Sequence, residues 1–112
     1  MRGHELPRHR PFARARQDFD EIVAWIFERS PQGADRWVTR FEEALARLEE
    51  NPFVAPIAAE SEELREEVRH ILFRTRAGRT YRALFLVAGE EVRILRIRGA
   101  GQKPSRPEDI ET

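Results

Sequence analysis

Residues 68–98 read VRHILFRTRAGRTYRALFLVAGEEVRILRIR. Three short runs rich in β-branched and aromatic residues, 68–75, 79–87 and 91–98, are separated by Arg76-Ala77-Gly78 and Ala88-Gly89-Glu90, breaks of hairpin length. The middle run is apolar on both faces, with Tyr81, Ala83, Phe85 and Val87 on one side and Leu84 and Leu86 on the other, as a central strand requires. The stretch therefore predicts a three-stranded antiparallel meander.

Upstream the period changes from two to 3.6. Over residues 12–29, Ala15, Phe19, Ile22, Val23 and Ile26 recur at helical spacing with Asp18, Asp20, Glu21 and Glu28 between them. Ser30-Pro31 interrupts, Ser30 suited to capping a second helix and Pro31 to its first position. Over 32–50 the apolar positions are Ala34, Trp37, Val38, Phe41, Ala44, Leu45 and Leu48, and Asn51-Pro52 stops the pattern. So short a connection makes the helices an antiparallel hairpin. Residues 51–67 read as a loop, in which the acidic run 60–67 has the makings of a short helical turn. The expected fold class is α+β: an antiparallel helical hairpin packed on a small antiparallel three- or four-stranded sheet. Residues 4–11 offer a fourth strand, a poor one because of Pro7 and Pro11, so 1–11 is expected to be irregular; 99–112, proline-containing and acidic at its end, is expected to be a mobile tail.

The 112 residues suit one domain, 1–112, with 40% hydrophobic residues for one modest core. That excludes a full dinucleotide-binding domain. The apolar run 83–88 is too short to span a membrane, and the first residues hold no apolar stretch of a secretory signal. The absence of cysteine excludes thiolate metal sites and suits a reducing cytoplasm.

A formal net charge of zero conceals a strong segregation. Residues 17–67 carry five Arg against fourteen Asp and Glu, a net of −9, whereas 68–106 carry nine Arg, one Lys and two Glu, a net of +8. Lys103 is the only lysine, and the arginine fork suits bidentate contact with phosphate or carboxylate. Arg69, Arg82, Arg96 and Arg98 lie on the expected strands, where alternation brings some onto one face to meet an anionic partner. Singly, each reads first as a solvated surface residue.

Two amphipathic helices joined by Ser30-Pro31, the Asn51-Pro52 stop, Val68-Arg69, the Tyr81-Arg82 strand and the Ile94-Leu95 strand together resemble the RelE/ParE toxins of type II toxin–antitoxin systems, over about residues 12–99. The resemblance implies a small cytoplasmic toxin with a twisted sheet on a helical hairpin, neutralised by a cognate antitoxin that wraps its surface, as a hetero-oligomer with that antitoxin or a homodimer. It implies one of two activities, cleavage of messenger RNA on the ribosome in the RelE-like branch or inhibition of DNA gyrase in the ParE-like branch. Ribosome-dependent members often end the last strand with a His or Tyr; here Arg96-Ile97-Arg98-Gly99-Ala100-Gly101-Gln102 follows, with neither residue to the end of the chain. The expectation is therefore a ParE-like gyrase inhibitor that acts by binding, with a ribosome-dependent endoribonuclease, or a degenerate toxin that only binds its antitoxin, as the alternatives.

Cleavage of RNA would require a base, an acid and cations on the phosphoryl oxygens. Arg69 and Arg82 are the candidate clamps, and His70 or Tyr81 the candidate proton carriers, although His70 reads first as an ordinary strand residue and Tyr81 as a core aromatic. Trp37 is in phase with the core, whereas Trp25, with Phe27 beside it, widens the stripe of the first helix and is a candidate partner anchor. His4, His9 and His70 lack metal-ligand spacing, Gly99-Ala100-Gly101 opens no helix, and Ser30, Ser61 and Ser105 sit in no nucleophile motif, so neither metal nor cofactor is expected.

Overall fold

The computed structural model describes residues 10–11, 13–76 and 78–99. Strand β1 (Arg10–Pro11) leads to helices α1 (Ala13–Arg29) and α2 (Pro31–Glu50), a 3₁₀ turn (Pro52–Val54), the short helix α3 (Glu60–Leu64), and strands β2 (Arg69–Arg74), β3 (Thr80–Ala88) and β4 (Glu91–Gly99). The α+β fold expected from the sequence is present, and the sheet has the order β1-β4-β3-β2.

Local chemistry accounts for each boundary. Ser30 alone joins the two helices; its extended backbone and its hydroxyl, which accepts the Gly33 N–H at 2.9 Å, cap α2, and Pro31 occupies the first turn. A side chain at residue 33 would meet Ser30 Cβ and Oγ at 3.1 Å, so glycine there permits the tight turn. Asn51 closes α2 through its N–H on the Arg47 carbonyl and opens the 3₁₀ turn by accepting the Phe53 N–H on its side chain. Gly89, at φ +64°, is the first of the two residues joining β3 to β4, where two-residue hairpin loops need a positive φ.

β2 pairs antiparallel with β3, and β3 with β4, as expected. Two expectations need correction. The fourth strand is parallel: Arg10 and Pro11 lie beside Arg93 and Ile94, on the sheet edge, where a proline forfeits no central ladder bond. Gly99, placed by the sequence in the tail, ends β4 instead, paired with Tyr81; a Cβ there would meet Arg79 Nη1 at 3.0 Å. The other residues of 1–9 and 100–112 lie outside the described residues.

The main core lies between the helical hairpin and one face of the sheet. Ala15, Phe19 and Val23 of α1 and Ala34, Trp37, Val38, Phe41, Ala44, Leu45 and Leu48 of α2 meet Ile71, Phe73, Tyr81, Phe85, Ile94 and Ile97. Trp37 is its centre, with ring centroids of Phe19, Phe41, Phe73 and Tyr81 between 5.4 and 5.7 Å away. Its indole nitrogen is buried with no hydrogen-bond partner among the described residues, so what holds Trp37 is its ring contacts. The opposite face is covered differently. Residues 51–67 cross it as a strap, and Ala58 and Leu64 pack on Val68, Leu84, Leu86 and Leu95 in a second, smaller cluster.

Candidate functional site: the strap-covered face of the sheet

Strand alternation sends Tyr81, Ala83 and Phe85 to the helices, and therefore Arg82, Leu84 and Leu86 to the strap. The ladder then sets Arg98 directly opposite Arg82 on one side and Leu72 opposite it on the other. His70, two residues before Leu72, completes a cluster. Its Nδ1 lies 3.2 Å from Arg82 Nη1.

The strap adds a carboxylate to these cations. Glu60, at the start of α3, has a side chain only 2% exposed, and its two oxygens engage the Arg82 fork, Oε1 at 3.2 Å from Nη1 and Oε2 on Nη2. A bidentate guanidinium–carboxylate pair of this kind is the strongest hydrogen-bonded arrangement open to either group. Because an arginine donates only, His70 Nδ1 must accept from it, which fixes the neutral tautomer with its proton on Nε2. Burial, and after it the Arg82 charge, hold the His70 pKa below its ordinary value, with Glu60 pulling the other way. His70 is thus held neutral.

The other strand arginines are distributed rather than gathered. Arg69 donates from Nη1 to the Ala55 carbonyl at 2.7 Å and pairs with Glu67 at 3.1 Å, which ties the strap to β2. Arg96 goes elsewhere. A bulge makes Leu95 an extra residue between Ile94, opposite Phe85, and Arg96, opposite Leu84. The Arg96 guanidinium meets Asp18 of α1, Nε to Oδ2 at 2.7 Å and Nη2 to Oδ1 at 3.1 Å, with both side chains about nine-tenths buried. Asp18 Oδ2 also accepts the Ile97 N–H at 2.9 Å, satisfying a donor of β4 beyond the short reach of β1. The four arginines therefore do not share one open face: Arg82 is engaged under the strap, while Arg98, its cross-strand neighbour, lines a cavity beside α1.

Tyr81 is a core residue packed on Trp37 and Phe73. Trp25 and Phe27 are 51% and 49% exposed, but on different sides of α1. Trp25 lines a cavity of about 370 Å³ with Asp18, Glu21, Arg79, Tyr81 and Arg98, and Arg29 lies over its ring at 3.7 Å. Phe27 sits with Asp20, Val23 and Ala24. Two residues apart on a helix is about 200° of rotation, so they are two patches rather than one.

Sequence reasoning missed Glu60 and Asp18. Glu60 stands in a run with Glu62, Glu63, Glu66 and Glu67, all of which are exposed, and nothing in the composition singles it out. Asp18 carried a faint signal, since it falls beside Phe19 and three residues after Ala15, within the apolar stripe. Among the described residues, no group of three or more carboxylate or imidazole side chains is placed to hold a metal ion, and no helix is long and apolar enough to cross a membrane.

No curated protein and no solved structure gives a significant match to this chain. The family model for the ParE toxin of the type II toxin–antitoxin system parDE matches residues 13–104, which takes in the hairpin, the strap and the antiparallel strands described above. The chain belongs to the ParE toxin family and is the toxin type of a type II toxin–antitoxin system.

Proposed function

We propose that the protein halts growth by binding DNA gyrase, without chemistry of its own, and that a cognate antitoxin neutralises it in a hetero-oligomer in the cytoplasm. The observation that carries this reading is the engagement of Arg69, Arg82 and Arg96 by carboxylates of the same chain. Phosphoryl transfer needs cations directed at the non-bridging oxygens and a base at the attacking hydroxyl. Arg82 is turned to Glu60, and the Nδ1 lone pair of His70 is turned to Arg82. Binding has no such requirement. The excess of arginine over residues 68–106 draws an anionic target, and Trp25 and Phe27 supply apolar anchors for a partner.

The experiment is pulse-labelling of DNA and protein synthesis just after the chain is induced alone in a bacterial host, followed by a supercoiling assay with purified gyrase. DNA synthesis stopping first, with loss of supercoiling activity, is the expected result. Protein synthesis stopping first, with cut messenger RNA, would replace this reading by the ribonuclease one. The observation on that side is the contact of His70 with Arg82, a proton carrier beside a phosphate clamp. If neither synthesis changes while the antitoxin still binds, the chain is a degenerate toxin.

A further inference from the structure

We propose that the strap masks a phosphate site: the Glu60 carboxylate occupies, on Arg82, the place of a phosphate oxyanion, and the strap must lift before Arg82 can meet a target. The inference rests on the reading that Arg82 is a contact residue of this toxin.

Four observations converge on it. Of the five glutamates in the strap's acidic run, Glu60 alone is buried, and its partner is the arginine fork at the centre of the sheet. A five-residue helix does not hold itself together, so α3 keeps its place through what it docks on. Beneath the strap, His70 adjoins both Arg82 and the strap backbone, and with Nδ1 accepting from Arg82 its ring proton on Nε2 is a further donor for an oxyanion. The arginine fork that accepts a carboxylate bidentately fits two oxygens of a phosphate in the same way.

Few backbone hydrogen bonds hold the strap, beside the side-chain contacts of Arg69 with Ala55 and of Arg82 with Glu60. Its backbone ties to β2 and the residue before it are Ala58 N–H to the Val68 carbonyl at 2.8 Å and His70 N–H to the Pro56 carbonyl at 3.1 Å, with Val68 N–H on Ser61 Oγ at 3.0 Å. Arg65 closes α3 in the left-handed region at φ 56°, where a side chain is disfavoured. Phe53, Val54 and Ile57 stay more than half exposed, so the strap buries little apolar surface to hold itself down. An ion pair that has given up its hydration contributes little net stability, which makes exchange of one oxyanion for another feasible.

The test is binding of inorganic phosphate to the full chain, followed through the Arg82 guanidinium and His70 ring resonances. Glu60→Gln keeps the shape and removes the charge; it is expected to bind phosphate about tenfold more tightly than the parent chain. Glu60→Gln with Arg82→Gln is expected to lose that gain. No gain in the single variant, or a gain that survives removal of Arg82, overturns the proposal. Should Glu60→Gln prevent folding, hydrogen exchange of the parent chain decides. The Ala58, Val68 and His70 amides are expected to exchange roughly a hundredfold faster than the β3–β4 ladder, and faster still with phosphate. Exchange of those amides only together with the ladder means the strap does not lift, and the proposal falls. Gyrase is absent from both measurements, so failure of the mask and failure of the gyrase reading are told apart.

Discussion

On one face of the sheet lie helices of 17 and 20 residues; on the other lies a strap whose longest helix has five. The helix face is closed by aromatic rings gathered around Trp37, with the buried Asp18–Arg96 pair joining α1 to β4 beside them. The strap face has a small leucine cluster and, beside it, a buried carboxylate on an arginine. Apolar packing is non-directional and large in total, whereas a buried ion pair is costly to break and small in net gain. The first face therefore holds the fold together, and the second governs which charges the molecule presents.

The comparison is broken most severely at Trp37. Trp37→Ala removes the ring that four others touch and is expected to cost about 4 kcal/mol, a large part of the stability of a domain this size. Urea unfolding measures it. A loss below about 1 kcal/mol would mean that the hairpin does not depend on this cluster.

Asp18→Asn comes next. The carboxylate joins α1 to β4 through both Arg96 nitrogens and the Ile97 amide, and the amide replacement presents a donor to a guanidinium. About 3 kcal/mol of stability should be lost, because the Arg96 charge stays nine-tenths buried without that carboxylate. A near-neutral result would show that α1 is held by its apolar stripe alone.

His70 sharpens the comparison through pH. Its pKa in the folded chain lies below the ordinary value near 6.5, so across that interval the unfolded chain binds the extra proton. The contribution to stability is therefore complete above about pH 6.5 and is lost as the pH falls below it. The groups facing the ring are Arg82 and Glu60. Urea midpoints of the parent chain should drop between about pH 7.5 and 5.5, and His70→Asn should flatten that drop; an equal drop in both would place the titrating group elsewhere.

How far the sequence foretold this structure follows the same division. The hairpin and the meander were legible because their periods, 3.6 and 2, are consequences of having one covered face, and because Ser30-Pro31 and Asn51-Pro52 mark the ends of α2. Trp37 was legible as core for the same reason. The strap face was not. A run of glutamates reads as solvated, and only the docking of α3 turns Glu60 inward. Alternation alone treats Arg96 and Arg98 as equivalent, but the extra residue at Leu95 and the position of Asp18 separate them, one to α1 and one opposite Arg82. Pro11 argued against a strand that exists because it lies on an edge. Each miss concerns a contact made by a polar group over a long sequence separation, which leaves no periodic trace.

The smallest effect on stability is expected at the exposed aromatics, and there the interest lies in the difference between them. Trp25→Ser and Phe27→Ser should each change stability by no more than about 0.5 kcal/mol, because both rings are half exposed, although Trp25 also loses its contact with the Arg29 guanidinium. Their effects on partner binding should separate. Trp25 borders the cavity beside β4, close to Arg79 and Arg98, whereas Phe27 stands on the other side of α1 among Asp20 and Val23. An antitoxin that wraps the toxin would touch both patches, and each change would then weaken its affinity at least roughly tenfold, as loss of an aromatic anchor does. A partner confined to one side of α1 would respond to one substitution and ignore the other. Titrating antitoxin against the two variants therefore reads out on which side of α1 the partner lies, without disturbing either face of the sheet.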